Sequence, residues 1–281
     1  MSEISEQEFL KSLLDDLEND KLVLPTLPEV ALKVRETLED DDVSMNNVSE
    51  VISSDAALSA RLIQVANSPL LRASQPIDTL LGAISRMGFT MIKNLVTSMV
   101  MEQMFQATSD TTDSRLRAIW EHSTQVAAIS HALCAEMTKL PADQAMLAGL
   151  VHDIGALPIL SRAEDYPELL DDEALLDSII QKAHTTIGAA ILKKWNFSDD
   201  IIAVAAEHEN LSREHEGPAD YIDVVMVANL QSHFGTKHPH TSQDWNKIPA
   251  FAKLGLEPEM NIIDMEDAEE KMDAVKAALG G

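Results

Sequence analysis

The sequence GLVHDIGALPIL, residues 149–160, places a titratable pair, His152 and Asp153, inside an otherwise apolar run. Charged and titratable side chains are rarely buried unless they are paired or bound to a metal ion. Adjacent residues on a helix point about 100° apart, so the side chains of His152 and Asp153 point in different directions. The stretch therefore predicts a polar centre inside a helical domain.

Helical spacing of apolar residues continues along nearly the whole chain on both sides of this stretch. The alternating apolar pattern that is typical of β-strands is not seen, and aromatic residues are few. The pattern predicts an all-α protein, built as a two-lobed helical bundle. The long helices predicted in the second lobe lie near residues 115–138, 142–160, 173–195, 198–210 and 219–234.

A polar segment, QATSDTTDS at residues 106–114, separates the two predicted lobes. We predict three parts, which are an N-terminal helix (1–20), a domain of two lobes (21–107 and 108–235), and a polar linker with an acidic C-terminal helix (236–281). This last helix is predicted at residues 264–279 and is expected to pack back on the body.

Particular residues mark helix ends in the first lobe. Ser44 and Asp55 are predicted N-caps, because their side-chain oxygens can accept hydrogen bonds from free backbone N–H groups. Pro76 is predicted to open a helix that runs to Met87, and Gly88 to break it.

The formal net charge of −26 limits the choice of partners. Such a surface repels nucleic-acid phosphates and anionic membranes, so we expect neither; the acidity indicates a solvated surface or a basic protein partner. Cys134 is the only cysteine, which excludes an intrachain disulfide. The N-terminus lacks a signal-peptide pattern and no run of 18 uncharged apolar residues occurs, so a cytoplasmic protein is expected.

Three segments of the first half carry a family resemblance. They are LPTLPEVALKV (24–34), VSEVISSDAALSARLIQVANSPLL (48–71) and IDTLLGAISRMGFTMIKNLV (77–96). The chain resembles the HDOD family, all-helical bacterial signalling domains related to the HD metal phosphohydrolases. The resemblance implies a second lobe that is HD-domain-like. It also implies a regulatory or scaffolding role, because family members typically have no demonstrated catalytic activity.

Five side chains of the second half match the metal-binding positions of the HD superfamily, and they are His122, His152, Asp153, His184 and His208. Helical bundles build metal sites from side chains that project inward off facing helices. Imidazole and carboxylate suit Fe, Mn or Zn, so the resemblance implies a divalent transition metal. A single histidine on an apolar helix face is usually a core residue, but four in matching contexts favour a ligand set.

The chain also departs from the catalytic relatives. Asn229 stands where they have a final Asp ligand, and a neutral amide binds a divalent cation more weakly than a carboxylate does. Ala156 stands where the HD-GYP phosphodiesterases have a Lys that can meet substrate phosphate. Glu207 replaces the first His of their HHE motif. The resemblance therefore implies one metal ion more readily than two, with Glu207 and Asn229 as additional ligands.

Other polar residues are weaker candidates. Lys193 and Lys194 are secondary candidates for binding a small anionic ligand, although lysines are usually solvated. His131 lies nine residues after His122, which places the two on opposite faces of a helix. No motif supports a role for His215 or His233. His238 and His240 have an alternating spacing that can bind a metal ion weakly, but they lie in the polar linker and we interpret them as solvated.

Two functions fit these residues. The first is a regulatory HDOD protein that contacts a signalling protein, with a structural or sensory metal ion or small anion at the HD site. The alternative is a metal-dependent phosphohydrolase acting on a nucleotide or another phosphoester, in which Asp153 would be catalytic. Asn229 and Ala156 favour the first function, and resemblance to enzymes does not by itself make an enzyme.

Overall fold

The computed structural model describes residues 5–71, 75–105, 110–236, 239–258, 260, 262 and 268–279. These residues form helices and turns but no β-strand, which confirms the predicted all-α class. Helices α1 to α5 are Glu6–Glu18, Glu29–Leu38, Met45–Ser53, Ala56–Ala66 and Leu80–Met101. Helices α6 to α12 are Asp110–Met137, Ala142–Val151, Ala156–Ala163, Pro167–Asp171, Glu173–Lys194, Asp199–Glu207 and Tyr221–Ser232. Helices α13 and α14 are Pro249–Leu254 and Ala268–Leu279.

The predicted N-caps start the helices of the first lobe. Oγ of Ser44 accepts a hydrogen bond from the backbone N–H of Asn47 at 3.3 Å. Oδ1 of Asp55 accepts one from the N–H of Leu58 at 2.9 Å. Both predictions are confirmed, and each cap satisfies a backbone donor that the helix itself leaves unpaired.

Helix α5 begins at Leu80 rather than at the predicted Pro76, because Thr79 caps it. The side chain of Thr79 accepts the N–H of Gly82 at 3.1 Å. Gly88 has a φ of 75°, a left-handed conformation that favours glycine. The predicted break at Gly88 is confirmed as a kink between two helical segments of α5.

Helix α5 joins the two lobes. Its second segment is buried nearly throughout, from Ile92 to Met101. The helix as a whole contacts α2, α3 and α4 in the first lobe and α7 in the second. The apolar side chains of both lobes therefore form one continuous core.

Helix α6 begins inside the segment that was predicted as a loop. Residues 110–114 are helical, and residues 106–109 lie outside the described part. Asp113 and Arg117 form an ion pair at 2.7 Å, at the i,i+4 spacing that stabilises helices. This pairing explains why a polar composition is compatible with a helix here.

The helix predicted at 142–160 is two helices, α7 and α8, separated by a turn at residues 152–155. The stretch 142–163 is the one described stretch that is long and apolar enough to cross a membrane, and 83% of its most apolar window is buried inside the protein. It therefore behaves as a core element. The turn at its centre carries His152 and Asp153.

Both terminal helices pack on the body. Helix α1 contacts α10, and the carboxylate of Glu6 accepts a hydrogen bond from Nζ of Lys182 at 2.6 Å. Helix α14 packs along α6 and α4, as expected, and Arg61 donates to the carbonyl of Ala278 at 3.1 Å. Residues 264–267, which were predicted as the start of this helix, lie outside the described part.

Candidate metal centre

The five predicted ligands come from four elements of the second lobe. His122 lies in α6 and His184 in α10, while His208 caps the C-terminus of α11. His152 and Asp153 lie in the turn between α7 and α8. These side chains meet at one point, because α7 contacts α6 and α11, and α10 contacts α8 and α11.

Asp153 is at the centre of the group, and its two carboxylate oxygens face different pairs of histidines. Oδ2 lies 3.3 Å from Nε2 of His152 and 3.7 Å from Nε2 of His122. Oδ1 lies 3.3 Å from Nε2 of both His184 and His208. On each side the three ligand atoms lie within 4.8 Å of one another. Two groups that share one carboxylate can hold a bridged pair of metal ions.

Backbone hydrogen bonds decide which nitrogen of each ring faces Asp153. Three of the four rings donate Nδ1–H to a carbonyl one turn earlier, at 2.7 Å to Gly149 from His152, 2.8 Å to Ile180 from His184 and 3.0 Å to Val204 from His208. A neutral imidazole has one donor and one acceptor nitrogen. Nε2 of each ring therefore presents a lone pair to the centre, the orientation that such bonds give to metal-binding histidines.

The polar atoms at the centre are mostly acceptors that lack a donor. Nε2 of His152 is buried and has no hydrogen-bond partner among the described residues, and the same is true of Oδ1 of Asn229. Nε2 of His184 and Nε2 of His208 face each other at 3.2 Å. A buried polar atom without a partner is costly, and a cation would satisfy several of these atoms at once. The residues present therefore fit a metal ion.

Burial and charge shift the pKa values of these groups in different directions. Burial lowers the pKa of His122, and it lowers the pKa of His152 to about 3. Burial opposes ionisation of Asp153, but the surrounding imidazoles hold its pKa well below the usual range. Burial has the largest single effect on the pKa of His208 and lowers it, but the hydrogen bond with Asp153 and the negative charges of Asp153 and Glu209 together raise it overall. A proton on His208 is therefore the competitor of a metal ion.

Of the two additional ligands that the sequence suggested, the structure brings one to the centre. Asn229, on α12, is buried there and donates from Nδ2 to Oε1 of Glu209 at 3.2 Å. Glu207 points away and pairs with Arg213 at 3.3 Å. Oε1 of Glu209 instead lies 3.7 Å from Nε2 of His208. The suggested Glu207 is thus corrected to Glu209, because α11 ends at Glu207 and the residues after it turn inward.

The centre opens into a cavity of about 790 Å³. Its polar lining beyond the predicted ligands includes Asp177, Ser178, Gln181, Glu209 and Gln243. Among the residues that the structure describes, no lysine or arginine lines it. Lys193 and Lys194 are exposed at the end of α10, more than two helical turns beyond His184, and they do not line this cavity. Their binding of a small anion stays a prediction.

Two histidines without motif support also lie at this cavity. His233 stacks on His122, with ring centroids 5.0 Å apart and 14° between the planes. Nε2 of His240 lies 3.3 Å from Oε2 of Glu209. The interpretation of His240 as solvated is therefore wrong, because the linker folds over the cavity. His238 lies outside the described residues.

The other histidines lie elsewhere. His131 lines a separate cavity beside α14, away from the centre as the helix geometry predicts. His215 contacts Asp223 at 2.8 Å, and Arg213 pairs with both Asp223 and Asp220. This second group of histidine and aspartates is an ion-pair cluster, because Arg213 already pairs with both of its carboxylates.

Gly155 allows α10 to approach the turn that holds Asp153. A Cβ at Gly155 would overlap the carbonyl oxygen of His184 and would lie 2.5 Å from the backbone nitrogen of Gly188. Glycine is therefore required between the two backbones. This close approach sets the distance between Asp153 and His184, and motif context alone did not reveal it.

Comparison with known proteins agrees with this geometry. A model of the HDOD domain family matches residues 24–211. The solved structure of a Shewanella amazonensis protein, named provisionally as a metal-dependent phosphohydrolase, is 33% identical, with a TM-score of 0.85 over 98% of this chain and 99% of that one. An HDOD domain protein of unknown function from Geobacter sulfurreducens is 20% identical, with a TM-score of 0.65 over 98% and 99% of the two chains. This second likeness shows the fold alone.

An uncharacterised protein from Treponema pallidum is 27% identical over 228 residues, which are 75% of this chain and 42% of that protein. The chain spans less than half the length of the curated relatives that it matches. These relatives therefore contain further sequence outside the matched region.

Proposed function

The chain belongs to the HDOD domain family, and from this we propose that it is a regulatory module that binds a divalent transition metal ion and acts through contact with a signalling protein. One observation carries the proposal, which is the position of Asp153 between two pairs of histidine Nε2 atoms. A cation at this position satisfies lone pairs that have no donor among the described residues.

The proposed ligands divide into two sets around Asp153. His122 and His152 would bind on one side, and His184 and His208 on the other. The sequence favoured a single ion, whereas the geometry offers places for two. We propose Fe, Mn or Zn, which accept imidazole and carboxylate ligands. A bound ion supplies a positive charge that links α6, α10, α11 and the turn after α7, so its binding would change how firmly these elements hold together.

Two features of the cavity disfavour phosphoester hydrolysis. No described lysine or arginine lines it, so a substrate phosphate there would meet no cationic lysine or arginine side chain among the described residues. Ala156, at the position of the catalytic relatives' lysine, is buried at the start of α8. A regulatory role fits this cavity better than catalysis does.

We propose a signalling protein with a basic contact surface as the partner. The net charge of −26 disfavours nucleic acid and anionic membranes. The four consecutive acidic residues Glu39 to Asp42 are all exposed, so they are accessible to such a partner. Complementary charge speeds and orients protein association.

A metal-dependent phosphohydrolase is the second candidate, because Asp153 has histidines on both sides. A carboxylate that bridges two metal ions is the arrangement used by hydrolytic two-metal sites. The Shewanella amazonensis protein that is 33% identical carries a phosphohydrolase name. The substrate in this case would be a nucleotide or another phosphoester.

The metal content of the purified full chain tests the proposal. We expect bound Fe, Mn or Zn by elemental analysis, and its loss in Asp153→Asn, which keeps the shape of the side chain and removes its charge. Asp177→Asn is the matched control, because Asp177 lies at the cavity but pairs with Arg115 at 2.8 Å. A wild-type chain that binds none of the three ions after reconstitution would overturn the proposal.

Hydrolysis of bis(p-nitrophenyl) phosphate distinguishes the two functions. Turnover by the metal-loaded wild type, absent in Asp153→Asn, would establish the phosphohydrolase. A metal-loaded wild type without turnover supports the regulatory role.

A further inference from the structure

The metal centre lacks a negative charge at residue 229. The resemblance to catalytic HD proteins implies a carboxylate there, and Asn229 supplies none. Asp153 is then the only carboxylate among the five predicted ligands. With neutral histidines, a single carboxylate leaves even one divalent ion only half compensated, and buried charges are usually paired.

Glu209 brings a second carboxylate to the centre. Oε1 of Glu209 lies 3.7 Å from Nε2 of His208, and Oε2 lies 3.3 Å from Nε2 of His240. The side chain is 26% exposed and lines the same cavity as Asp153. These two contacts hold the carboxylate toward the histidines rather than toward solvent. His240 lies beyond residues 24–211, where the family model matches, so one of these contacts comes from outside the matched domain.

Asn229 completes the arrangement around Glu209. Its Nδ2 donates to Oε1 of Glu209 at 3.2 Å. Its own Oδ1 is buried and has no hydrogen-bond partner within the described part of the chain. An aspartate at residue 229 could not donate this bond and would repel Glu209. The neutral residue at 229 and the charged residue at 209 therefore form a matched pair.

We propose that Glu209 supplies the second negative charge of the metal centre, in place of the carboxylate missing at residue 229, and that Asn229 orients it. The proposal rests on the proposed function, since it requires a metal ion at the centre. It differs from the ligand set predicted from the motifs, which did not include Glu209, because Glu209 is assigned to the centre by its contacts.

Calorimetric titration of the metal-free full chain with Mn²⁺ alone, and separately with Zn²⁺ alone, tests this inference. We expect Glu209→Gln to lower the affinity about 10- to 100-fold, as loss of a group that supports a metal site typically does. Glu207→Gln is the matched control, because Glu207 lies two residues away and pairs with Arg213 outside the centre. It should bind both ions like the wild type. Circular dichroism and melting temperature verify that each variant is folded.

The double variant Glu209→Gln/Asn229→Asp shows whether metal affinity depends on a second negative charge at the centre or on the local structure around residue 209. If the centre needs a second negative charge, the new aspartate restores most of the lost affinity. If the double variant binds as weakly as Glu209→Gln, the proposal is overturned. Wild-type affinity in folded Glu209→Gln also overturns it and leaves the metal site standing. A wild-type chain that binds neither ion overturns the proposed function together with this inference, so the two failures are distinguishable.

Discussion

Nε2 of His184 lies 3.2 Å from Nε2 of His208, although each ring already donates its Nδ1–H to a backbone carbonyl. Two neutral rings in these tautomers direct lone pairs at each other, beside the carboxylate of Asp153. Burial has the largest single effect on the pKa of His208 and lowers it, but the hydrogen bond with Asp153 and the charges of Asp153 and Glu209 together raise it overall. A proton on His208 would relieve this contact, and so would a metal ion. The fold therefore creates a local requirement for positive charge.

A metal ion should stabilise the folded chain, because the ligands come together only on folding. At a free ion concentration 100 times the dissociation constant, the stabilisation is about 2.7 kcal/mol. For a chain of this size, that corresponds to a rise of about 5 °C in melting temperature. Differential scanning fluorimetry with and without Mn²⁺ measures the rise.

Two histidine variants show whether this rise belongs to the centre. His152→Ala removes a buried ligand and should show no rise. His131→Ala removes a histidine that lines a different cavity and should show the full rise. Equal rises in the two variants would place the metal ion elsewhere in the protein.

Asn229→Asp should make the stability of the folded protein depend more strongly on a bound metal ion. The new carboxylate would take the place of the amide that now donates to Glu209 at 3.2 Å, and two adjacent carboxylates repel each other. The metal-free variant should therefore melt below the wild type. A bound cation would be shared by both carboxylates, so the metal-induced rise in melting temperature should exceed that of the wild type. A smaller rise would contradict this expectation.

The helix ends that local chemistry determines were predictable from the sequence. Ser44 and Asp55 cap their helices through their own side chains, and Gly88 breaks α5 through its own backbone. The break at residues 152–155 was not predictable, because apolar residues continue with helical spacing on both sides of it. Packing against α10 requires that turn, and α10 lies far from the turn in the sequence.

The side chains grouped by motif context do lie together around Asp153, because each sits on an element whose helical pattern was clear. The roles of Glu207 and Glu209 depend instead on where α11 ends, and a shift of two residues exchanges them. His240 reaches the cavity through the path of a linker that carries no periodic pattern. Lys193 is close to His184 in sequence, but a helix rises about 1.5 Å per residue and carries it away from the centre.

Acid should destabilise the metal-free protein through His131. Burial, assisted by the charge of Lys271, lowers the pKa of His131 from 6.5 to about 4, so the unfolded chain binds this proton first as the pH falls. The stability contributed by the neutral buried ring is present above pH 6.5 and is lost between pH 6.5 and 4. From pH 7 to pH 4.5 this group alone removes about 2 kcal/mol.

Urea unfolding in the presence of EDTA at these two pH values isolates the effect of His131. The wild type should lose about 2 kcal/mol more than His131→Leu, which cannot bind the proton. An equal loss in both proteins would show that His131 is not held neutral in the folded state.

Gly155 and Gly188 lie against each other where the turn after α7 meets α10, and alanine should act oppositely at the two positions. At Gly155 a Cβ would overlap the carbonyl oxygen of His184, so Gly155→Ala should destabilise the protein by about 3 kcal/mol and weaken metal binding as His184 moves. At Gly188 a Cβ would lie 3.6 Å from Cβ of Ala205. Gly188→Ala should therefore preserve metal affinity and add up to about 1 kcal/mol within the helix. Urea unfolding and Mn²⁺ titration of both variants measure this, and parallel effects would show that the backbone approach does not position His184.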